Sequence, residues 1–149
     1  MPSEIRVVKT AGKNYKVVND IDGYEISLPQ GWEGLKEIKY LPPTPSEPFS
    51  VSSINLRSNG EKNIGISIDF FKTEEDFPII EQAKGIFNQY GLEGQFTLID
   101  IGSLEIAKTQ EYNHLGGESV YFFQESRGVY ALTGKSESSI EELIENGTW

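Results

Sequence analysis

Cysteine is absent from this chain, which removes disulfide frameworks, thiolate nucleophiles and cysteine-based metal sites together. Histidine is nearly absent: the 149 residues hold 1 His, His114, so any His-dependent catalytic set has to be built around that one position. Cations are also scarce, with 13 Lys and Arg against 23 Asp and Glu and a net charge of −10. The deficit is lopsided. Residues 1–75 carry 9 cations and 11 acids, and residues 76–149 carry 4 and 12. Such a balance repels phosphate backbones and anionic lipid heads, so nucleic acid is not an expected partner and a charged partner should be cationic. The same excess also serves solubility without any partner. No apolar run approaches the roughly 18 residues of a membrane span. The opening "MPSEIRVVKTAGKNYK" contains no apolar signal core and no lipobox cysteine. It is therefore read either as a cytoplasmic start or as an extracytoplasmic chain whose leader has been removed.

What is present reads as one globular domain, with 37% hydrophobic residues of which aromatics supply a good part. Residues 1–14 read as a loose arm ahead of a single domain over 15–149. "YKVVND" and "YEISLP" read as two strands joined through Asp22-Gly23. Tyr24, Ile26 and Leu28 share one face, and Pro29 with Gly31 ends the second strand. "LPPTPSEP" is a stiff connection whose P-x-x-P spacings also suit a polyproline reader. "SVSSINLRS" and "NIGISIDFF" read as a hairpin across "NGEK", with Ile64, Ile66, Ile68 and Phe70 alternating on one buried face. The spacing of Phe77, Ile80, Ala83, Phe87 and Tyr90 predicts a helix over 74–90, stopped by Gly91. "FTLIDIGSLEIAKTQEYN" reads as one or two strands bent at Gly102-Ser103. "ESVYFFQESRGVYALTGKS" reads as a hairpin turning over 125–128. Tyr121, Phe122 and Phe123 are consecutive, so that strand is apolar on both faces and belongs inside a covered sheet. "SSIEELIENGTW" reads as a terminal helix capped by Ser138 or Ser139, apolar along Ile140, Leu143 and Ile144, and closed by Asn146-Gly147; Trp149 is expected to fold back on the sheet. Strands in runs with few helices imply an α+β protein.

Candidate sites are few. "NDIDG" hints at a calcium loop, but in that register Val18 and Pro29 occupy positions where ligands are needed, so a turn with Asx chemistry explains the residues better. His114, in "EYNHLGGES", is a possible partner contact beside Glu111 and Glu118, or simply a residue of a polar turn made by Gly116-Gly117. Trp32 is the other possible partner contact, able to stack on a partner's side chain; its alternative is to cover the sheet edge after the Gly31 turn. No nucleophile elbow, phosphate loop or dinucleotide fingerprint is present. Asn146 sits in an Asn-Gly-Thr sequon, meaningful only on a glycosylating pathway. No catalytic residue, cofactor or metal is assigned.

The arrangement resembles the PsbP-like family. "YKVVNDIDGYEISLPQGWEG" is similar to its aromatic-rich extended opening with a Pro-x-Gly-Trp signature, here Pro29, Gly31 and Trp32. The "ISIDFF" strand, a helix with an acidic start, the late "GVYALTGKS" strand and the final "SSIEELIE" helix follow in the same order, so the resemblance covers roughly residues 15 to 149. It implies an αβα sandwich around a central antiparallel sheet. It also implies protein binding rather than catalysis, since the family includes an extrinsic photosystem II subunit, a Ran-binding import factor and bacterial envelope lipoproteins. Three expectations result: a non-enzymatic interaction or accessory domain, a small-molecule binder or cryptic hydrolase using a pocket between sheet and helix, and a spacer within a longer chain.

Overall fold

The structure, a computed structural model, describes residues 1–10, 15–29, 31, 32, 34–44, 51–59, 64–73, 75–112, 118–125 and 127–149, with the backbone alone for 110–112. Chain order is β1 (Ile5–Lys9), β2 (Tyr15–Asn19), β3 (Tyr24–Ser27), β4 (Leu35–Leu41), β5 (Val51–Ser58), β6 (Gly65–Lys72), α1 (Ile79–Gln89), β7 (Phe96–Ile101), β8 (Leu104–Tyr112), β9 (Glu118–Glu125), β10 (Gly128–Gly134) and α2 (Glu137–Asn146). The chain is an α+β protein: β1-β2-β3 form a three-stranded antiparallel sheet, and a seven-stranded antiparallel sheet runs β4-β5-β6-β10-β9-β8-β7.

Period-2 alternation builds two cores on the two faces of the large sheet. Ile66, Ile68 and Phe70 of β6, Tyr121 and Phe123 of β9, and Tyr130 and Leu132 of β10 point to one side. There they meet Ile140, Leu143 and Ile144 of α2 together with Val17, Tyr24 and Ile26 of the small sheet. The opposite side presents Phe71, Val120, Phe122, Val129 and Ala131 to Ile79, Ala83, Ile86 and Phe87 of α1. The Tyr-Phe-Phe run of β9 thus feeds both cores, as a central strand covered on each face must. The layer beside α2 is not helical alone, because the small sheet shares it.

Four local readings are corrected. Residues 5–9 are not a loose arm: β1 pairs along β2 from Ile5↔Asn19 to Lys9↔Tyr15. Its exposed Val7 and Val8 hid the strand, since only Ile5 is buried. Residues 35–41, given no element above, form β4; a bulge between Leu35 and Glu37 shifts the phase and breaks the alternation. The first helix starts at Ile79, not at residue 74, because Pro78 at its N-cap holds an extended ψ of 140°. The preceding residues are tied down instead, with Gln82 Nε2 donating to the Phe77 carbonyl and Gln124 Nε2 to the Glu75 carbonyl. The buried stripe therefore turns to Ile79, Ala83, Ile86 and Phe87, and Phe77 and Tyr90 lie exposed. Last, Ser136 rather than Ser138 or Ser139 caps α2, accepting from the Ser139 N–H.

Other features match. Gly91, at φ 71°, ends α1 as a Schellman motif: the Leu92 N–H donates to the Phe87 carbonyl at 2.8 Å and the Gly91 N–H to the Asn88 carbonyl at 3.0 Å. The β2–β3 turn carries its Asx bonds on Asn19, whose Oδ1 accepts from the N–H groups of Ile21 and Asp22, both at 3.0 Å. Leu104–Tyr112 and Phe96–Ile101 are two separate strands. The P-x-x-P residues 45–48 lie outside the described residues.

The core beside α2 also buries tyrosines with consequences at high pH. Burial, and then the nearby Asp22, push the Tyr130 phenol up to about 12, while its hydroxyl donates to the Asp22 carbonyl at 3.1 Å. Burial raises Tyr24 and Tyr121 further, and Tyr121 donates to Glu141 Oε2 at 3.1 Å. An unfolded tyrosine ionises near pH 10. A raised folded value means the stabilisation is complete below about pH 10 and is lost as pH rises toward about 12. In an alkaline titration, the phenolate absorbance of these three tyrosines is expected to appear together with loss of the circular dichroism signal. Full ionisation of all tyrosines with the fold intact would contradict this burial.

Candidate functional site

The geometry of α1 over the large sheet creates the site. This helix packs mainly on β8 and β9 and reaches Phe71, Val129 and Ala131 at its edge; beside it a depression runs over β10, β6 and β5. One row of paired residues runs across this floor at right angles to the strands: Leu41↔Ser53, Ser53↔Asp69, Asp69↔Ala131 and Ala131↔Phe122. Small side chains in mid-row leave space, and the result is a cleft of about 520 Å³ between α1 and the sheet. Leu41, Pro42 and Thr44 make one lip; Ile86, Tyr90 and Leu92 make the other. Leu41 and Tyr90 are each more than two-fifths exposed, so the lips present apolar surface to solvent. The interior is formed by Phe71, Phe87 and Phe122, with the rings of Phe87 and Phe122 packed edge to face at 5.6 Å.

Asp69 is the one acidic or basic residue among the described residues lining this cleft. It is half-buried on β6, and Ser53, its cross-strand neighbour, donates its hydroxyl to Asp69 Oδ1. Ser67, two residues back on the same face, donates to the same oxygen at 3.5 Å. A carboxylate at its ordinary pKa is a weak base toward an alcohol. The hydroxyl instead holds the carboxylate in one orientation.

A second depression, of about 800 Å³, continues the same face toward the next rows. It carries Glu37, Lys39, Arg57, Glu118 and Lys135, charges of both signs, beside Leu56, Ile64 and Ile66, and meets the cleft at Thr133. On the opposite face, α2 is clasped to the sheet by charge: Lys108 Nζ lies 3.0 Å from Glu137 Oε2, and the Ser119 hydroxyl donates to Glu137 Oε1 at 2.5 Å. Those two partners, the hydroxyl first, hold the Glu137 carboxyl below its usual range.

Trp32, a candidate contact, lies half-buried against the larger core after the turn closed by its own N–H to the Pro29 carbonyl at 3.2 Å; it does not reach the cleft. Its indole Nε1 is buried with no hydrogen-bond partner among the described residues. His114 lies outside the described residues. Among the described residues, no group of three or more His, Asp and Glu is placed to hold a metal ion, and no helix is long and apolar enough to cross a membrane. The cleft was legible in the sequence only as a space between sheet and helix. Ser53, Asp69, Ala131 and Thr133 carry no motif, and what unites them is the strand register.

Fold and cleft together define an α+β protein built on an antiparallel sheet with an open, mostly apolar site on one face. Neither a family model nor a curated protein nor a solved structure matches the chain.

Proposed function

We propose that this chain is a non-enzymatic binding domain of the PsbP-like, αβα-sandwich type, and that the cleft between α1 and the sheet is its binding element. The observation that carries the reading is the cleft with its exposed apolar lips, Leu41 and Tyr90. The layering supports the fold assignment: a helix on one face of an antiparallel sheet, with α2 on the other. In this reading a protein partner inserts an apolar group between the lips, and the net charge of −10 favours a cationic partner. The family's accessory proteins outside the cytoplasm offer the nearest setting. A second reading has a small molecule occupying the cleft. Its volume of about 520 Å³ favours that reading, since small-molecule sites span about 300–1,000 Å³.

Both readings require the cleft to accept apolar groups. Nile red, a neutral apolar fluorophore, is expected to brighten with the wild-type protein, and Thr133→Phe, which projects a ring from the half-buried floor, is expected to abolish the signal at an unchanged melting temperature. Ala131→Leu serves as the second filling variant. Equal brightening by wild type and a folded filled variant would remove the cleft as the binding element.

A further inference from the structure

We infer that the outer edge of β7 is a docking site for an extended, cationic segment of another protein, which joins the large sheet as an added strand. The edge lies apart from the cleft, since β7 contributes nothing to the cleft's described lining. The two sheets have four edges, and three of them are blunted. β3 is bridged on its outer side by Thr148, which exchanges two backbone bonds with Glu25. β1 carries Arg6 and Lys9. β4 carries Lys36 and Lys39 and a bulge between Leu35 and Glu37. Cations, bulges and covering backbone are ordinary means of keeping an edge from recruiting another strand. β7, Phe-Thr-Leu-Ile-Asp-Ile, has no Lys, Arg or Pro, and its register with β8 is unbroken from Phe96↔Thr109 to Ile101↔Leu104. Among the described residues β8 is its one strand partner, so the other edge of β7 presents N–H and C=O groups outward. Thr97 on one face, and Leu98 and Asp100 on the other, are exposed, Leu98 by 49%.

The side chains beside this edge define the occupant. Asp100 faces Glu105 across the strand pair. Like charges directly opposite repel, and among the described residues neither carboxylate belongs to an ion pair. A Lys or Arg arriving opposite Asp100 relieves that repulsion. The one cation of the β7–β8 hairpin, Lys108, is already held by Glu137 and sits across from Thr97, on the other face. Next along the face of Asp100 come the exposed Leu98 and the half-buried Phe96. An antiparallel newcomer therefore reads cation, any residue, apolar, any residue, apolar; backbone bonds supply its affinity and these alternate side chains its specificity. A second copy of the chain is the poorer occupant, because it brings the same acids and a net charge of −10 to the contact.

The test uses three peptides: acetyl-Thr-Lys-Thr-Leu-Thr-Val-Thr-amide, its counterpart with Glu in place of Lys, and a copy of the first N-methylated at alternate residues along its pairing edge. Each is titrated into the full chain and followed by amide chemical shifts. The Lys peptide is expected to shift the β7 amides and to bind about tenfold more tightly than the Glu peptide. The N-methylated copy, which cannot donate to the edge, is expected not to bind. Asp100→Lys changes an exposed residue and sets opposite charges across the strand pair, so it is expected to fold and to abolish the preference for the Lys peptide. Should that variant not fold, the wild-type series decides alone. Equal binding of the Lys and Glu peptides overturns the cationic occupant, and binding of the N-methylated copy overturns strand pairing. Shifts confined to Leu41 and Thr133 overturn the edge as the site and leave the cleft reading standing. No shift by any peptide at about 2 mM also overturns the edge. β7 shifts that grow with the concentration of the protein alone, with a dimer in sedimentation, overturn the foreign segment in favour of a second copy.

Discussion

Replacing Trp149 with alanine is expected to lower the free energy of unfolding by about 3 kcal/mol. The indole is the hub of an aromatic cluster, with ring centroids 4.9 Å from Phe123, 5.1 Å from Tyr130 and 5.2 Å from Tyr24. Its Nε1 donates to the Ile144 carbonyl at 3.1 Å, in the last turn of α2, where the Gly147 N–H also donates at 3.4 Å. The adjacent Thr148 exchanges two backbone bonds with Glu25, 2.9 and 2.8 Å long, and so extends the small sheet past β3. One side chain thus fastens α2, the small sheet and the core of the large sheet to one another. The estimate takes the low end of the range for deleting a large aromatic because the indole is only half-buried. The helix does not close as Asn146-Gly147 suggested, through a left-handed glycine. Gly147 has φ −81°, and it is glycine for room, since a Cβ there would lie 2.8 Å from the indole Nε1. Urea denaturation followed by circular dichroism gives the number, and a loss under about 0.5 kcal/mol, the scale of an ordinary surface change, would show the cluster to be incidental.

Gly128→Ala should cost a similar amount, about 3 kcal/mol, for the opposite reason: too much matter rather than too little. A Cβ at that position would lie 2.2 Å from the Phe71 carbonyl oxygen. That oxygen belongs to the backbone of β6, where Gly128 pairs with Lys72, so it cannot swing aside as a side chain would. The same added methyl at Gly85 meets nothing within 4 Å, on the exposed side of α1. There it should raise stability by about 1 kcal/mol, the helix-propensity difference between glycine and alanine. The pair of variants makes one chemical change with opposite expected signs. Thermal melts of both decide the matter, and a Gly128→Ala midpoint equal to wild type would mean the β6–β10 register is misassigned.

How much of this was legible in the sequence follows from which physical signals are local. Ile66, Ile68 and Phe70 alternate without interruption, and Tyr121 to Phe123 announce a strand buried on both faces, so the centre of the large sheet could be read directly. β4 could not, because its bulge between Leu35 and Glu37 puts two residues where alternation expects one. β1 could not because a strand with a single buried residue has no period to detect. The start of α1 was misjudged by giving acidic residues more weight than Pro78, whose fixed φ and missing N–H set the boundary. The cleft was anticipated as a location and not as a composition. Asp69 is the one acidic or basic residue that the described lining provides. Which residues share a row depends on pairings between strands far apart in the chain, and no local pattern records them.

That dependence has a kinetic side. Every pairing in the large sheet joins strands adjacent in sequence, except β6 with β10. The chain therefore comprises two locally formed meanders, β4 to β6 and β7 to β10, and one seam that must bring residues 72 and 128 together. Closing so long a loop carries the largest entropic cost in the sheet, and non-local pairing of this kind sets folding rates. Ser53 and Asp69 stand on one side of the seam, and Ala131 and Phe122 on the other. The cleft does not exist in either half alone; it is assembled when the zip closes, and whatever fills it binds the two halves to each other.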